Sequence, residues 1–148
     1  MSIRNEMPVL ARHEGEWQGT YVHVDAEGRE IDRHAARLSC SFPSDSAGCD
    51  YFQTNEYTWA DGRKERFEFP ATYTNKRIWW DTERIEGQAW EIDDSSIVLT
   101  WRRKDIKDSS LYEMIQLSED GNKRARTWHW FENGELVKRT LIKEERVQ

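Results

Sequence analysis

Glu16-Trp17-Gln18-Gly19-Thr20-Tyr21-Val22-His23-Val24-Asp25-Ala26-Glu27-Gly28-Arg29 reads as an extended strand running into a tight reversal. Trp17, Gly19, Tyr21 and His23 fall on one face of that strand, and Gln18, Thr20, Val22 and Val24 fall on the other, the period of two that a pleated backbone imposes. Glu27-Gly28 then breaks the run, because glycine supplies the positive φ that a short hairpin turn needs. A glycine there can also carry a bulge, and a slip of one residue would exchange the two faces.

Outward from this segment the same punctuation recurs at Ser46-Ala47-Gly48, Asp61-Gly62, Thr74-Asn75, Asp93-Asp94-Ser95, Asp120-Gly121 and Asn133-Gly134. Runs rich in Val, Ile, Thr, Tyr, Phe and Trp lie between these turns. The spacing predicts strands at about 16–25, 29–42, 50–59, 63–73, 76–82, 85–92, 96–104, 110–117, 123–131 and 135–146. A short helix is expected around Met7 to His13, with Asn5 as cap and Pro8 in its first turn. Eight to ten strands in up-and-down order leave two raw edges unless the sheet closes. The expectation is therefore an all-β, closed antiparallel up-and-down barrel with a short N-terminal helix, residues 1–148 forming one domain.

Composition narrows the partners. Charged residues make up 34% of the 148, yet eight Trp, five Tyr and five Phe supply the apolar surface that a disordered chain lacks. The net charge of −6 argues against a nucleic-acid backbone or an anionic membrane as the main partner, since both reward a basic face. Met1 to Leu10 lacks the apolar run of a secretion signal, so a cytoplasmic location is expected. Cys40 and Cys49 flank Ser41 to Gly48, and in a reducing compartment both are expected as free thiols. Phosphate-loop, serine-elbow, Cys-x-x-Cys and His-Glu-x-x-His motifs are absent from the sequence, and no cofactor is assigned.

Alternation proposes the interior. Leu38, Cys40 and Phe42 point inward on the second strand and carry Ala36, His34 and Asp32 with them. Phe67, Phe69, Trp80, Leu99, Trp101, Leu111, Ile115, Trp128 and Trp130 are further inward candidates. On the third strand Tyr51, Gln53, Asn55, Tyr57 and Trp59 share a face that is polar and aromatic together, suited to orienting a ligand inside an apolar surround. In Arg126-Thr127-Trp128-His129-Trp130-Phe131, inward Trp128 and Trp130 would make a flat wall for stacking, with His129 outside. The runs Arg63 to Arg66 and Lys143 to Arg146 read as solvated faces.

His13-Glu14-Gly15-Glu16-Trp17-Gln18-Gly19-Thr20-Tyr21 places a Gly-x-Trp after a short helix and at the head of the first strand. This resembles the signature of lipocalin and wider calycin barrels, in which that Trp closes one end beneath a basic side chain from a late strand; the resemblance implies Arg139 for the basic role. With Trp79-Trp80-Asp81-Thr82-Glu83-Arg84, Ile97-Val98-Leu99-Thr100-Trp101, Tyr112-Glu113-Met114-Ile115 and Arg139-Thr140-Leu141-Ile142-Lys143-Glu144, nearly the whole chain resembles a bacterial and cyanobacterial family of lipocalin-like domains of unknown function. That family implies the fold and no active site. More distantly it is similar to barrels that bind bilins, haem, fatty acids or other hydrophobic molecules.

Three functions stay open. A binding barrel would hold a hydrophobic, aromatic or conjugated small molecule against Trp17, Tyr51, Gln53, Tyr57, Trp59, Phe67, Phe69, Trp80, Trp101, Trp128, Trp130 and Arg139. A cofactor-independent isomerase, cyclase or lyase would move a proton with His23, His34, Tyr21 and Asp32, a carboxylate orienting an imidazole that faces substrate. A barrel filled by its own side chains would serve as an interaction module, and a homo-oligomer is compatible with any of the three. A metal held by His23, His34 and Asp32 is geometrically conceivable on neighbouring strands, but the spacing is not diagnostic, and none is assigned.

Overall fold

Turn chemistry sets the hairpins. Asn133 and Gly134 both take positive φ (52° and 79°), as a two-residue reversal between right-twisted strands requires. Asp25 instead uses its carboxylate, whose Oδ1 accepts from the backbone N–H of Glu27 and Arg29. The computed structural model describes residues 2–43 and 48–148, so the Ser46-Ala47-Gly48 turn lies largely outside the described residues.

Among the described residues ten strands result: β1 Gly15–Asp25, β2 Glu30–Ser41, β3 Tyr51–Thr58, β4 Lys64–Thr74, β5 Arg77–Asp81, β6 Ile85–Glu91, β7 Ser96–Arg103, β8 Ser109–Leu117, β9 Lys123–Glu132 and β10 Glu135–Arg146. Each pairs antiparallel with its sequence neighbour, and β1 pairs with β10 from Trp17↔Arg146 to Asp25↔Lys138, closing the barrel. A register shift is present, but not at Gly28: it lies between His23 and Val24 of β1, where β2 leaves Ile31 without a partner. It falls after the aromatic part of the strand, so Trp17, Tyr21 and His23 keep the inward face. Gly19 sits where β10 comes closest: a Cβ there would lie 2.0 Å from the Lys143 carbonyl oxygen.

The N-terminal helix differs from expectation. Two single turns form, α1 Ile3–Glu6 and α2 Pro8–Ala11, and the cap is Ser2, whose hydroxyl accepts from Arg4 N–H; Asn5 lies inside α1. Pro8 occupies the first position of α2, where its missing N–H is harmless. α2 buries Val9 and Leu10 across one end of the barrel, and Arg12 donates to the carbonyls of Asp94, Ser118 and Glu119 in the turns there. That end is shut. The other, ringed by the turns after β1, β3, β5, β7 and β9, forms the mouth. Cys40 and Cys49 are free. Among the described residues no helix is long and apolar enough to cross a membrane.

Candidate functional site

At the mouth, His23 on β1 opposes Asp32 on β2, with His34 one step deeper beside Tyr21. His23 Nε2 lies 3.0 Å from His34 Nε2, so one proton is shared between two facing nitrogens. His34 Nδ1 faces the Ala35 carbonyl at 3.3 Å and must donate to it; in the neutral ring its Nε2 then accepts from His23. His23 Nδ1 accepts in turn from the Thr140 hydroxyl at 2.8 Å, and Thr140 Oγ1 accepts the Trp130 indole N–H at 2.9 Å. Burial, then the Lys138 ammonium, lowers His23 to about 4, and burial lowers His34, so both rings are neutral at neutral pH. Burial pushes Asp32 up, but the Trp59 indole N–H, at 3.0 and 3.1 Å from its two oxygens, outweighs this with the Arg33 backbone and the imidazoles, and the net shift is downward.

The fourth member of the expected cluster behaves differently. The Tyr21 ring stacks on His34 with centroids 5.0 Å apart, but its hydroxyl accepts from Arg126 at 2.8 Å, away from the histidines. Burial holds Tyr21 well above the usual phenol range. It is not part of the imidazole chain.

Behind this chain lies a cavity of about 190 Å³, lined among others by Tyr57, Trp59, Phe67, Trp101, Trp128 and Trp130. A second, of about 70 Å³, lies under α2 and is lined by Tyr51, Gln53, Asn55, Trp80, Arg124 and Arg126, among others. Phe69, Ile85, Trp101 and Trp128 line both, so the two adjoin. The β3 ladder runs along them: Tyr51 donates to Gln53, Gln53 to Asn55, and Asn55 to the Tyr57 hydroxyl. Trp128 and Trp130 point inward as expected, but their rings meet at 71°, and Trp101 meets Trp130 at 88°; they form an edge-to-face corner and not a flat wall. Cations at the rim rest on ring faces, Lys138 on Trp130, Arg84 on Phe67 and Arg63 on Trp59.

Two sequence assignments move. Trp17 is fully buried and lines neither cavity; it plugs the shut end between the guanidinium groups of Arg124 and Arg146, 4.4 and 4.5 Å from its ring. Arg139 takes no part, because Lys138, Thr140, Ile142 and Glu144 hold the inward phase of β10 and Arg139 is out of step with them. Arg146, directly opposite Trp17, is in step. For the same reason the run Lys143 to Arg146 is solvated only at Lys143 and Glu145, while Glu144 is buried, its Oε1 2.6 Å from Arg124 Nε.

That pair belongs to a buried network invisible to charge counting. Arg126 reaches Glu113 at 2.6 Å and Glu144 at 3.3 Å, and Arg124 Nη1 donates to His13 Nδ1 at 3.0 Å. Burial alone would raise Glu144, but the two guanidinium groups hold it below the usual carboxylate range. Burial and the surrounding arginines hold His13 well below its ordinary value. Glu113, Arg124, Arg126 and Glu144 share the inward phase of β8, β9 and β10 with Leu111, Trp128 and Ile142, and that shared parity was the available signal. Glu65, Arg103 and Lys138, which line the outer cavity with Arg84, continue the phase of Phe67, Trp101 and Thr140 towards the mouth and carried the same signal; Arg84, in a turn, carried none.

The family described as "Domain of unknown function (DUF3598), N-terminal" matches residues 4–148. No curated protein matches the chain. A protein of unknown function from the DUF3598 family of Nostoc punctiforme superposes with a TM-score of 0.71 at 20% identity over 93% of this chain and 49% of its own, so the chain spans about half the length of that protein. The S-type phycobiliprotein lyase CPES from Guillardia theta superposes at 0.77 with 11% identity, over 100% of this chain and 94% of its own. EF1p2_mFAP2b, solved bound to DFHBI, reaches 0.51 with 11% identity over 94% and 97%. At these identities the likeness speaks for the fold.

Proposed function

The chain belongs to the DUF3598 N-terminal domain family, whose description assigns no reaction, and from the cavities we propose that its barrel binds one hydrophobic, aromatic or conjugated small molecule. The observation that carries this reading is the pair of adjoining cavities walled by Trp101, Trp128 and Phe69; a barrel serving only as an interaction module would fill that space with its own side chains. A cavity of about 150 Å³ accommodates one benzene ring. The outer cavity of about 190 Å³ therefore suits a one- or two-ring system, extended if the ligand passes Trp101 and Trp128.

The inner end favours an acceptor. The indole N–H groups of Trp80 and Trp128, Arg124 Nη2 and His13 Nε2 are buried without a partner among the described residues, and all four residues line the inner cavity. His13 Nδ1 accepts from Arg124, so Nε2 carries the proton and all four atoms are donors. A carbonyl or carboxylate oxygen entering first would meet them, with the ligand's rings left among the tryptophans. A phycobiliprotein lyase and a barrel solved bound to DFHBI share the fold, which is consistent with a small-molecule ligand.

Native mass spectrometry of the untreated full chain, followed by titration of its Trp emission with a panel of aromatic carboxylates and their esters, tests this. Saturable one-to-one quenching is expected, stronger for the acids, and weakened roughly tenfold in Trp101→Ala, about what one lost ring–ring contact removes. An apo mass together with unsaturable quenching across the panel refutes it.

A further inference from the structure

His23, Asp32 and His34 offer one ligand atom each, all within 4.8 Å of one another, at the rim of the outer cavity. The two Nε2 atoms are 3.0 Å apart. Two imidazoles on one tetrahedral zinc, each at about 2.0–2.1 Å, hold their nitrogens about 3.3 Å apart, so the rings need to open by only a few tenths of an ångström. We propose that this trio is a site for a divalent first-row cation such as Zn²⁺ or Co²⁺, with the two histidine Nε2 atoms and the Asp32 carboxylate as ligands.

Three further observations support it. Each histidine's other nitrogen faces an oxygen that can receive its proton, His34 the Ala35 carbonyl and His23 the Thr140 hydroxyl, which is the outer arrangement that orients metal-bound imidazoles. On binding, the proton between the rings moves out of the way: His23 carries its own on Nδ1 and donates to Thr140, and both Nε2 lone pairs turn to the metal. Thr140 is fully buried and also held by Trp130, so this outer contact is fixed in place. Asp32 is held by Trp59, and the β-bulge follows directly after the His23–Asp32 pair, where such irregularities re-aim side chains. Two imidazoles and a carboxylate leave at least one coordination position, and because His23 and His34 line the outer cavity, a water or a ligand oxygen there can fill it. The charged groups facing the site from other strands are Lys138 on β10, Glu65 on β4 and Arg63 at the turn before it; the ammonium opposes a dication.

The experiment uses the full chain with Zn²⁺ or Co²⁺ alone, independent of any organic ligand. Calorimetry is expected to give one saturable equivalent, and Co²⁺ the visible absorption of a four- or five-coordinate ion. In ¹H–¹⁵N spectra tuned to imidazole nitrogens, His23 and His34 should shift while His13 and His129 do not. Asp32→Asn and Thr140→Val should each weaken binding by roughly 10- to 100-fold, and Lys138→Met should strengthen it. Absence of saturable binding, or Zn²⁺-induced shifts confined to His13 or His129, overturns the proposal. The nuclear resonance arm needs no variant, so a misfolded mutant does not leave the question open.

Discussion

The two ends of the barrel solve the problem of buried polarity in opposite ways. At the shut end, Arg124, Arg126, Glu113 and Glu144 pair charge with charge under α2, and Trp17 is gripped between two guanidinium groups. At the mouth, His23, His34, Thr140 and Trp130 form a chain of neutral groups beside open space. A buried charge without its partner is expensive, whereas a neutral hydrogen-bonding group can exchange one partner for another at little cost. The difference teaches that rigidity belongs to the shut end and exchangeable contacts to the mouth.

Substitutions can break that division. The largest loss is expected for Glu144→Ala, which strands Arg124 and leaves Arg126 to Glu113 alone: about 3–5 kcal/mol, or roughly 10 °C in melting temperature by circular dichroism. A loss below about 1 kcal/mol would mean that the network is not what holds this end. Trp17→Leu keeps the bulk apolar but removes two cation–π contacts and the indole bond to the His13 carbonyl, and urea unfolding should register about 2–3 kcal/mol. At the mouth, Trp130→Ala should reverse the balance, weakening aromatic-ligand affinity by roughly tenfold, about 1–2 kcal/mol, in a fluorescence titration while melting shifts less than for Trp17→Leu.

Acid sharpens the contrast further. His13 is neutral in the fold because burial and arginines depress its pKa, so below about pH 6.5 the unfolded chain takes up a proton that the native one refuses. Stability should therefore fall as pH drops from 7 towards 5, with His13 contributing at most about 1.4 kcal/mol per pH unit. His13→Asn, whose amide oxygen can still accept from Arg124, should remove that part of the slope in urea titrations at the two pH values. The smallest effect is expected for Arg139→Ala, within about 0.5 kcal/mol of wild type, because Arg139 lies outside the interior phase. A drop equal to that of Trp17→Leu would restore it to the role now given to Arg124 and Arg146.

Much of this was legible in the sequence. Turn residues and the β-rich runs between them placed every strand to within a residue or two, and period-two alternation put Trp17, Tyr21, His23, His34, Tyr57, Phe67, Phe69, Trp80, Trp101, Trp128 and Trp130 inside. The interior charges were missed because an isolated Arg or Glu in a strand ordinarily faces water, whatever the parity of its neighbours. Only the pairing of β9 with β10, which sets Arg124 opposite Glu144, turns two expensive residues into one tolerable contact.

Residue order alone therefore determined the number of strands, their turns and which side chains travel together on each face, since these depend on neighbours one to four positions apart. Closure of β1 on β10 decided the rest: which basic side chains cover Trp17, how Thr140 comes to face the imidazole pair, and where the aromatic corner leaves room for a guest. Those facts rest on register between strands distant in the chain, and a period of two cannot specify register until the partners meet.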